Sequence, residues 1–322
     1  MIGLVTRNGS MEKFLVTGGA GFIGSNICRE LVRQGCSVRV IDNLLTGKKT
    51  NLADIIDRIE FIQADMGDEQ FARAAMKDIE VVLHQGALPS VPRSVDDPVT
   101  AHKHNIDATF TLLLAARDAG VKRFVYASSS AAYGDTPTLP KAETMPPSPL
   151  SPYAVGKLTG EYYAKVFYQV YGLETISLRY FNVFGPYQDP SSQYAAAIPA
   201  FVTVVLKDKS PTVYGDGEQS RDFTYVDNVV EANLLAARAK HTKGEVVNIA
   251  CGKAITVNAI IEMINDLLGK NIKPIYAAPR PGDVKHSLAD VTAARQLLGF
   301  KPTVSFRDGL RKSINWYREN LL

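Results

Sequence analysis

The sequence predicts an α/β protein: a parallel sheet covered by helices on both faces, with a smaller C-terminal α/β domain. Two observations carry this. From Phe14 to Tyr180, short apolar runs alternate regularly with amphipathic stretches, as expected of strands buried on both sides between crossover helices. The first of these runs, Phe14 to Val16, breaks into glycines at 18, 21 and 24 as an amphipathic run, Phe22 to Val32, begins.

That opening reads as strand, glycine turn, helix. Gly18 allows the tight turn, Gly21 lets a pyrophosphate approach the backbone, and Gly24 lets the helix pack close to the strand. The spacing is G-x-x-G-x-x-G, and glycine turns are common, so the pattern needs a second signal. A second strand, Ser37 to Ile41, supplies it by ending in Asp42, 24 residues after Gly18. A carboxylate there accepts hydrogen bonds from an adenosine ribose and repels a 2′-phosphate, whereas the bland reading is a solvated loop acid. Together these features predict a Rossmann-type doubly wound sheet that binds NAD.

Further strands are expected at Glu60 to Gln63, Val81 to His84, Arg123 to Ala127 and Thr175 to Tyr180, with helices including Val99 to Ala119 and Tyr153 to Tyr171. Ligands of such sheets bind beyond the carboxyl ends of the strands. That singles out Gly18, Asp42, Asp65, Gly86, Ser128 to Ser130, and Tyr180 to Asn182. After Asn182 the pattern loosens and proline and glycine become frequent. Helices are expected around Ala195 to Leu206 and Ile255 to Leu268, and Glu245 to Ala250 reads as a strand returning to the sheet. The expected division is a cofactor domain of residues 11–181 plus about 224–253, and a second domain of 182–223 and 254–322. Residues 1–10, ahead of a second methionine at 11, read as an N-terminal extension.

Composition excludes several classes of function. Over 322 residues the net charge is +3 and no lysine- or arginine-rich run occurs, so neither nucleic acid nor an anionic membrane is an expected partner. No apolar stretch is long enough to cross a bilayer, and the first ten residues are too short and polar for a signal peptide. The three cysteines, Cys28, Cys36 and Cys251, lack C-x-x-C spacing, and the five histidines are scattered. Neither a disulfide framework nor a structural metal is expected, and a reducing, cytoplasmic setting fits.

The chemistry concentrates in Ser128-Ser-Ser-Ala-Ala-Tyr-Gly134 and Tyr153-Ala-Val-Gly-Lys157. Tyr153 and Lys157 are four apart at the start of a helical pattern, so they share a face. A nearby ammonium, together with the positive nicotinamide of NAD⁺, favours phenolate and is expected to pull the tyrosine pKa down from about 10. A serine hydroxyl delivered by the preceding strand can orient a substrate hydroxyl at the same place. Tyr and Lys at this spacing are usually a surface pair; the serine cluster and the dinucleotide loop shift the balance toward function.

At these residues the chain, from Lys13 to Tyr317, resembles the extended short-chain dehydrogenase/reductase family, and within it the nucleotide-sugar 4-epimerases. The resemblance rests on TGGAGFIGS (17–25), DNLLTGK (42–48), SSSAAYG (128–134), SPYAVGK (151–157), RYFNVFGP (179–186), RDFTYVDN (221–228) and RPGDVKHSLAD (280–290). HQGALPSVPRS (84–94), LRYFNVFGPYQDP (178–190) and GDVKHSLAD (282–290) are most similar to the bacterial epimerases that prefer N-acetylated sugars, the UDP-N-acetylglucosamine 4-epimerases. Gly86 departs from the alanine of most members and is expected only to alter packing near the cofactor.

The resemblance implies roles residue by residue. Gly18, Gly21 and Gly24, with the amides of Phe22 and Ile23, hold the pyrophosphate; Asp42 and Asn43 take the adenosine ribose. Asp65 and Met66 contact adenine, and Gly86 and Asn105 lie near the cofactor. Ser129 is the catalytic serine and Ser130 its sugar-contacting neighbour. Tyr153 transfers the proton and Lys157 bridges it to the nicotinamide ribose. Asn182, Arg221 and Arg280 hold the substrate diphosphate, and Asp283 accepts from the uridine ribose. Ser287, where relatives restricted to UDP-Glc and UDP-Gal carry tyrosine, leaves space for an N-acetyl group. The implied reaction is 4-epimerisation of a UDP-sugar through a 4-keto intermediate by a homodimer. A 4,6-dehydratase needs an Asp-Glu pair where Ser130 and Ala131 stand. A uronic-acid 4-epimerase needs a cation facing the C6 carboxylate, for which Arg93 and Lys285 are candidates. A non-catalytic NAD-binding scaffold has no use for Ser129, Tyr153 and Lys157 together.

Overall fold

The computed structural model describes residues 11–190, 197–279 and 285–321. Its strands are β1 (Lys13–Thr17), β2 (Ser37–Asp42), β3 (Glu60–Gln63), β4 (Val81–His84), β5 (Arg123–Ser129), β6 (Glu174–Tyr180), β7 (Val183–Phe184), β8 (Thr212–Tyr214), β9 (Ser220–Asp222), β10 (Thr224–Tyr225), β11 (Glu245–Ile249), β12 (Ala254–Thr256) and β13 (Ile275–Ala277). Its helices are α1 (Phe22–Arg33), α2 (Glu69–Met76), α3 (Val91–Asp96), α4 (Pro98–His102), α5 (Ala108–Asp118), α6 (Pro152–Tyr171), α7 (Ala197–Leu206), α8 (Val226–Arg238), α9 (Val257–Leu268), α10 (Thr292–Leu298) and α11 (Phe306–Leu321).

Seven strands form one parallel sheet in the order β11-β6-β5-β4-β1-β2-β3. The order reverses between β1 and β4, and a crevice opens at their carboxyl ends, the place where doubly wound sheets bind ligands. Side chains alternate across the sheet, so each strand feeds two cores. Phe14, Val16, Leu83, Val125 and Leu178 join one, with Ile27 and Leu31 of α1 and Val229 of α8. Leu15, Val82, Phe124 and Tyr126 join the other, with Leu112 of α5 and Phe167 of α6. Beyond the sheet, β7 pairs with β10, β9 with β12 and β8 with β13.

Two local features differ from expectation and both matter for the site. The helix expected over Val99 to Ala119 is instead α4, a π-helical turn over Lys103–Asp107, and α5. The wider turn seats the buried Asn105, whose amide closes on the Leu88 backbone at both its N–H (2.7 Å) and its carbonyl (3.2 Å); such bulges are characteristic of functional sites. Strand β5 also runs two residues past Ala127, to Ser129. Helix α6 is firmly bounded: Ser151 caps it by accepting from the Ala154 amide, Pro152 occupies its first turn, and Gly172 ends it in the left-handed conformation.

Candidate active site

The turn after β1 is closed by bonds from Gly18 N–H to Ile41 O and from Gly21 N–H to Gly18 O. Gly21 is the N-cap of α1 and offers no side chain, so the first amides of the helix, those of Phe22, Ile23 and Gly24, face outward without carbonyl partners. A β-carbon on Gly24 would stand 2.3 Å from Gly18 O, and one on Gly18, where φ is +64°, 2.6 Å from the Gly86 Cα. Only glycine leaves this cradle open, and an outward-facing helix start of this kind is built for phosphate.

At the end of β2 the Asp42 carboxylate is buried, 8% exposed. One oxygen accepts from Ala20 N–H (2.9 Å) and the other from Leu44 N–H (2.8 Å). Burial raises its pKa and these two amides pull it back. Each oxygen keeps a lone pair for a ribose hydroxyl, and a phosphate monoester there would meet the carboxylate charge. These residues border a cleft of about 820 Å³ lined also by Ile41, Asn43, Met66, Gln85, Gly86, Ser90, Arg93 and His104. The residues present therefore fit a dinucleotide with an unphosphorylated ribose.

Asp65 and Asn105 stand behind this lining. Asp65 accepts from Gly67 N–H (2.9 Å) and lies 3.9 Å from His104. A chain of bonds that sequence reasoning missed runs through His84 at the end of β4. Gly86 N–H donates to Thr17 Oγ1, which meets His84 Nδ1 at 2.7 Å; His84 Nε2 meets Thr109 Oγ1, which donates to Asn105 O. Because Thr109 spends its proton on Asn105, His84 carries its proton on Nε2. Burial, reinforced by the Lys157 ammonium, holds the ring neutral, with a pKa near 3. The signal available was a histidine closing a strand beside a glycine of the crevice.

The proposed trio assembles next to this chain. Ser129 Oγ accepts from Ala131 N–H (3.2 Å) and acts on the Tyr153 phenol against the effect of burial. Lys157, 4% exposed, donates to Ala127 O at 2.7 Å and lies 5.9 Å from the centre of the Tyr153 ring. The first turn of α6 is anchored from outside: Tyr153 N–H donates to Ser94 Oγ of α3 (3.0 Å), and Ser94 donates to Val91 O. Ser90 caps α3 at φ +105°, a backbone region that costs energy for a non-glycine residue. Helix α3 thus joins the trio to the cleft, because Ser90 and Arg93 line it.

The ammonium part of the electrostatic expectation for Tyr153 needs correction. Burial raises its pKa, and only the neighbouring Ser129 opposes that; the Lys157 ammonium is turned toward Ala127 O and is itself pushed down to about 7 by burial, with Glu161 pulling it up. Burial by itself favours the neutral phenol, so the phenolate that proton abstraction needs would rest on the positive nicotinamide that NAD⁺ brings beside it. Desolvation outweighs a cation nearly 6 Å from the ring centre.

On the opposite side of the crevice, Asn182 has φ +35° and donates to Asp222 O (3.0 Å), and Arg221 donates to Ser220 O and Lys285 O. Ser287 N–H donates to Ser220 O (3.0 Å), so Ser287 and Arg221 converge on β9. The buried Asp222 carboxylate gathers the amides of Cys251, Gly252 and Ala289, and burial raises its pKa to about 6 against those bonds. Ser130 opens a 3₁₀ turn ending at Tyr133. Arg280 and Asp283 lie outside the described residues. Among the described residues there is no cluster of three metal-ligating side chains, and no helix is long and apolar enough to cross a membrane.

The model of the NAD-dependent epimerase/dehydratase family matches residues 14–250. A putative UDP-glucose 4-epimerase of Methanocaldococcus jannaschii is 41% identical over 308 residues, 95% of this chain and 98% of that protein. Among solved structures, the UDP-N-acetylglucosamine 4-epimerase from Methanobrevibacter ruminantium M1, in complex with UDP-N-acetylmuramic acid, aligns with a TM-score of 0.93 at 42% identity, covering 97% of this chain and 100% of that one. The UDP-glucuronic acid 4-epimerase from Bacillus cereus, in complex with UDP-glucuronic acid and NAD, aligns with a TM-score of 0.87 at 34% identity, covering 95% and 99%. The chain therefore belongs to the NAD-dependent epimerase/dehydratase family, and its cofactor is NAD.

Proposed function

We propose that the protein is a UDP-sugar 4-epimerase that prefers UDP-GlcNAc and UDP-GalNAc. The observation that carries the reaction is the assembly of Ser129, Tyr153 and Lys157 beside a cleft fitted to the dinucleotide. Relatives named as UDP-sugar 4-epimerases support it, and they name glucose, N-acetylglucosamine and glucuronic acid among their sugars. Bound NAD supplies the hydride acceptor and donor at C4. Tyr153, directly or through Ser129, takes the proton of the 4-hydroxyl as C4 is oxidised and returns it to the 4-keto sugar after the sugar has turned its other face. Lys157 holds the positive charge beside that proton. Asn182, Arg221 and Arg280 anchor the diphosphate, for which guanidinium forks are suited. In this reading residues 182–223 and 254–322 form the nucleotide-sugar domain against the cofactor domain of 11–181 and about 224–253.

The N-acetyl preference rests on Ser287, whose small side chain sits where its backbone pairs with β9 beside Arg221. Purified protein incubated separately with UDP-GlcNAc, UDP-Glc and UDP-GlcA, with products resolved by chromatography, should convert UDP-GlcNAc fastest. Ser287→Tyr should abolish turnover of the acetylated pair while sparing UDP-Glc and UDP-Gal, because steric exclusion exceeds the ~1–3 kcal/mol of a methylene mismatch. Equal slowing of both pairs would remove residue 287 as the gate. A uronic-acid reading is second, favoured by Arg93 in the cleft lining; UDP-GlcA as the fastest substrate would establish it.

We also infer a homodimer. Val155, Tyr162, Val166 and Val170 form an exposed apolar stripe along α6, next to exposed Val95 and Val99 of α3 and α4; a second copy covering this face fits its size and apolar character. Light scattering should give twice the chain mass, and Val166→Glu should give the monomer. A monomeric parent protein would end this inference.

A further inference from the structure

The sheet face under α5 and α6 carries a row of polar residues in register. His84 on β4 is level with Tyr126 on β5, Ser128 on β5 with Arg179 on β6, and Arg179 with Asn248 on β11. Glu161, one helical turn beyond Lys157 on α6, is 2% exposed and sits within this row. One of its oxygens accepts from Ser128 Oγ and from Arg179 Nε (2.8 Å), and the other from Arg179 Nη2 (2.7 Å). Arg179 then lies 4.5 Å over the Tyr133 ring, and the Tyr133 hydroxyl donates to Asn248 Oδ1 (2.7 Å). The guanidinium is therefore on the β6 side, toward β11, whereas Lys157 reaches down to Ala127 O on β5 and to the Tyr126 ring, 5.1 Å away.

Sequence spacing had offered Tyr153 and Lys157; nothing in it marked Glu161. A buried ion pair is an expensive thing to build, and removing one partner leaves the other stranded, so its placement beneath a catalytic lysine calls for a use. We propose that Glu161 is a positioning residue: the Glu161–Arg179 pair, with its carboxylate on the same helix as Lys157 and its cation beyond, keeps Lys157 charged inside a buried site. The inference rests on the reading of Tyr153 and Lys157 given above.

The groups that face Lys157 agree with this. From β4 comes His84, neutral; from β5, the Tyr126 ring and the Ala127 carbonyl; from α6 itself, Tyr153 and Glu161. Arg179 stands on the far side of Glu161. Among the described residues, Glu161 is the one negative group acting on Lys157. Its oxygens are taken by Ser128 and Arg179, so it acts on Lys157 through its field. Burial alone favours a neutral amine, and Lys157 sits near 7 with Glu161 in place, so the ammonium population at neutral pH is set by this neighbour.

The test uses the holoenzyme with carbon-13-labelled lysine, the Lys157 resonance being assigned by its loss in Lys157→Arg. Its titration midpoint and the pH profiles of kcat and KM are compared for the parent, Glu161→Gln, Glu161→Asp and the double variant Glu161→Gln/Arg179→Met. The double variant strands no buried charge, so it keeps the test available where Glu161→Gln fails to fold. Loss of the carboxylate should lower the Lys157 midpoint, and the alkaline limb of kcat with it, by about one pH unit with little change in KM. Glu161→Asp should restore both. A folded double variant whose Lys157 midpoint stays at the parent value would overturn the proposal and leave Glu161 a structural residue. That outcome is separate from failure of the catalytic reading, which normal epimerisation by Tyr153→Phe would show whatever the lysine titration gives.

Discussion

Against α1 and α8 the central strands present Val16, Leu83, Val125 and Leu178, all buried and apolar; against α5 and α6 the same strands present Thr17, His84, Tyr126 and Arg179 at their carboxyl ends. The first face is held by area removed from water, which tolerates any well-fitting apolar side chain. The second buries a lysine, a glutamate, an arginine and a histidine, each of which must find partners in place. One face can therefore be damaged gradually, while the other fails by loss of a single group.

The largest effect should come from breaking the polar face at its working end. Tyr153→Phe should keep fold and cofactor and lose roughly 10²-fold or more in kcat, the scale of a positioned proton-transfer group. Leu31→Ala, in the apolar core at the far end of α1, should do the reverse, costing roughly 2–5 kcal/mol of stability while leaving turnover per folded molecule near the parent value. Urea denaturation and initial rates on the same preparations decide it. Near-normal turnover by Tyr153→Phe, or a dead but stable Leu31→Ala, would erase the distinction between the faces.

The two faces were also unequally legible in the sequence. The apolar face follows from short-range pattern: Phe14 to Val16, the glycines and Asp42 all lie within one strand-turn-helix-strand unit, so their spacing alone places them. The polar row joins residues of β4, β5, β6 and β11, from His84 to Asn248, and only strand register makes Ser128, Arg179 and Asn248 neighbours. Spacing singled out Lys157 because it shares a helix with Tyr153; it gave no signal for Glu161, on the next turn of the same helix, because the partners of Glu161 come from β5 and β6. The part Lys157 plays at Tyr153 was illegible for a related reason, since spacing gives the presence of a cation but neither its orientation nor the depth of burial.

A second, smaller effect sharpens the comparison through pH. His84 titrates near 3 in the fold against an ordinary value near 6.5, so between those values the unfolded chain binds more protons and stability falls as pH is lowered. The loss is at most about 1.4 kcal/mol per pH unit for one proton. Asp222 opposes it: its folded value of about 6 lies above the usual 3.8, so its contribution is full below 3.8 and is lost as pH rises through 6. His84→Gln should flatten the acid limb of the urea midpoint against pH, and Asp222→Asn should steepen it. Parallel curves for parent and His84→Gln would show that the ring is not held neutral by its surroundings.

The last contrast lies between two glycines that face each other across the cofactor turn, where the smallest effect is expected at Gly86. On Gly18 a β-carbon would meet backbone, Gly86 Cα at 2.6 Å, at a positive φ; on Gly86 it would meet the Met66 side chain, Sδ at 2.5 Å and Cε at 2.8 Å, with Thr17 Oγ1 at 3.2 Å. Backbone cannot yield, but a methionine side chain can swing aside. With no methyl at 86, Met66 fills that room. Met66 lines the cleft where adenine is expected, and its displacement should reach the cofactor. Gly86→Ala should therefore remain folded and weaken NAD retention several-fold, and Met66→Ala should recover part of that loss in the double variant, as coupling between touching residues predicts. Gly18→Ala should instead abolish NAD binding. Additive losses for Gly86→Ala and Met66→Ala, measured as NAD released on dilution, would show that the two positions do not share this space.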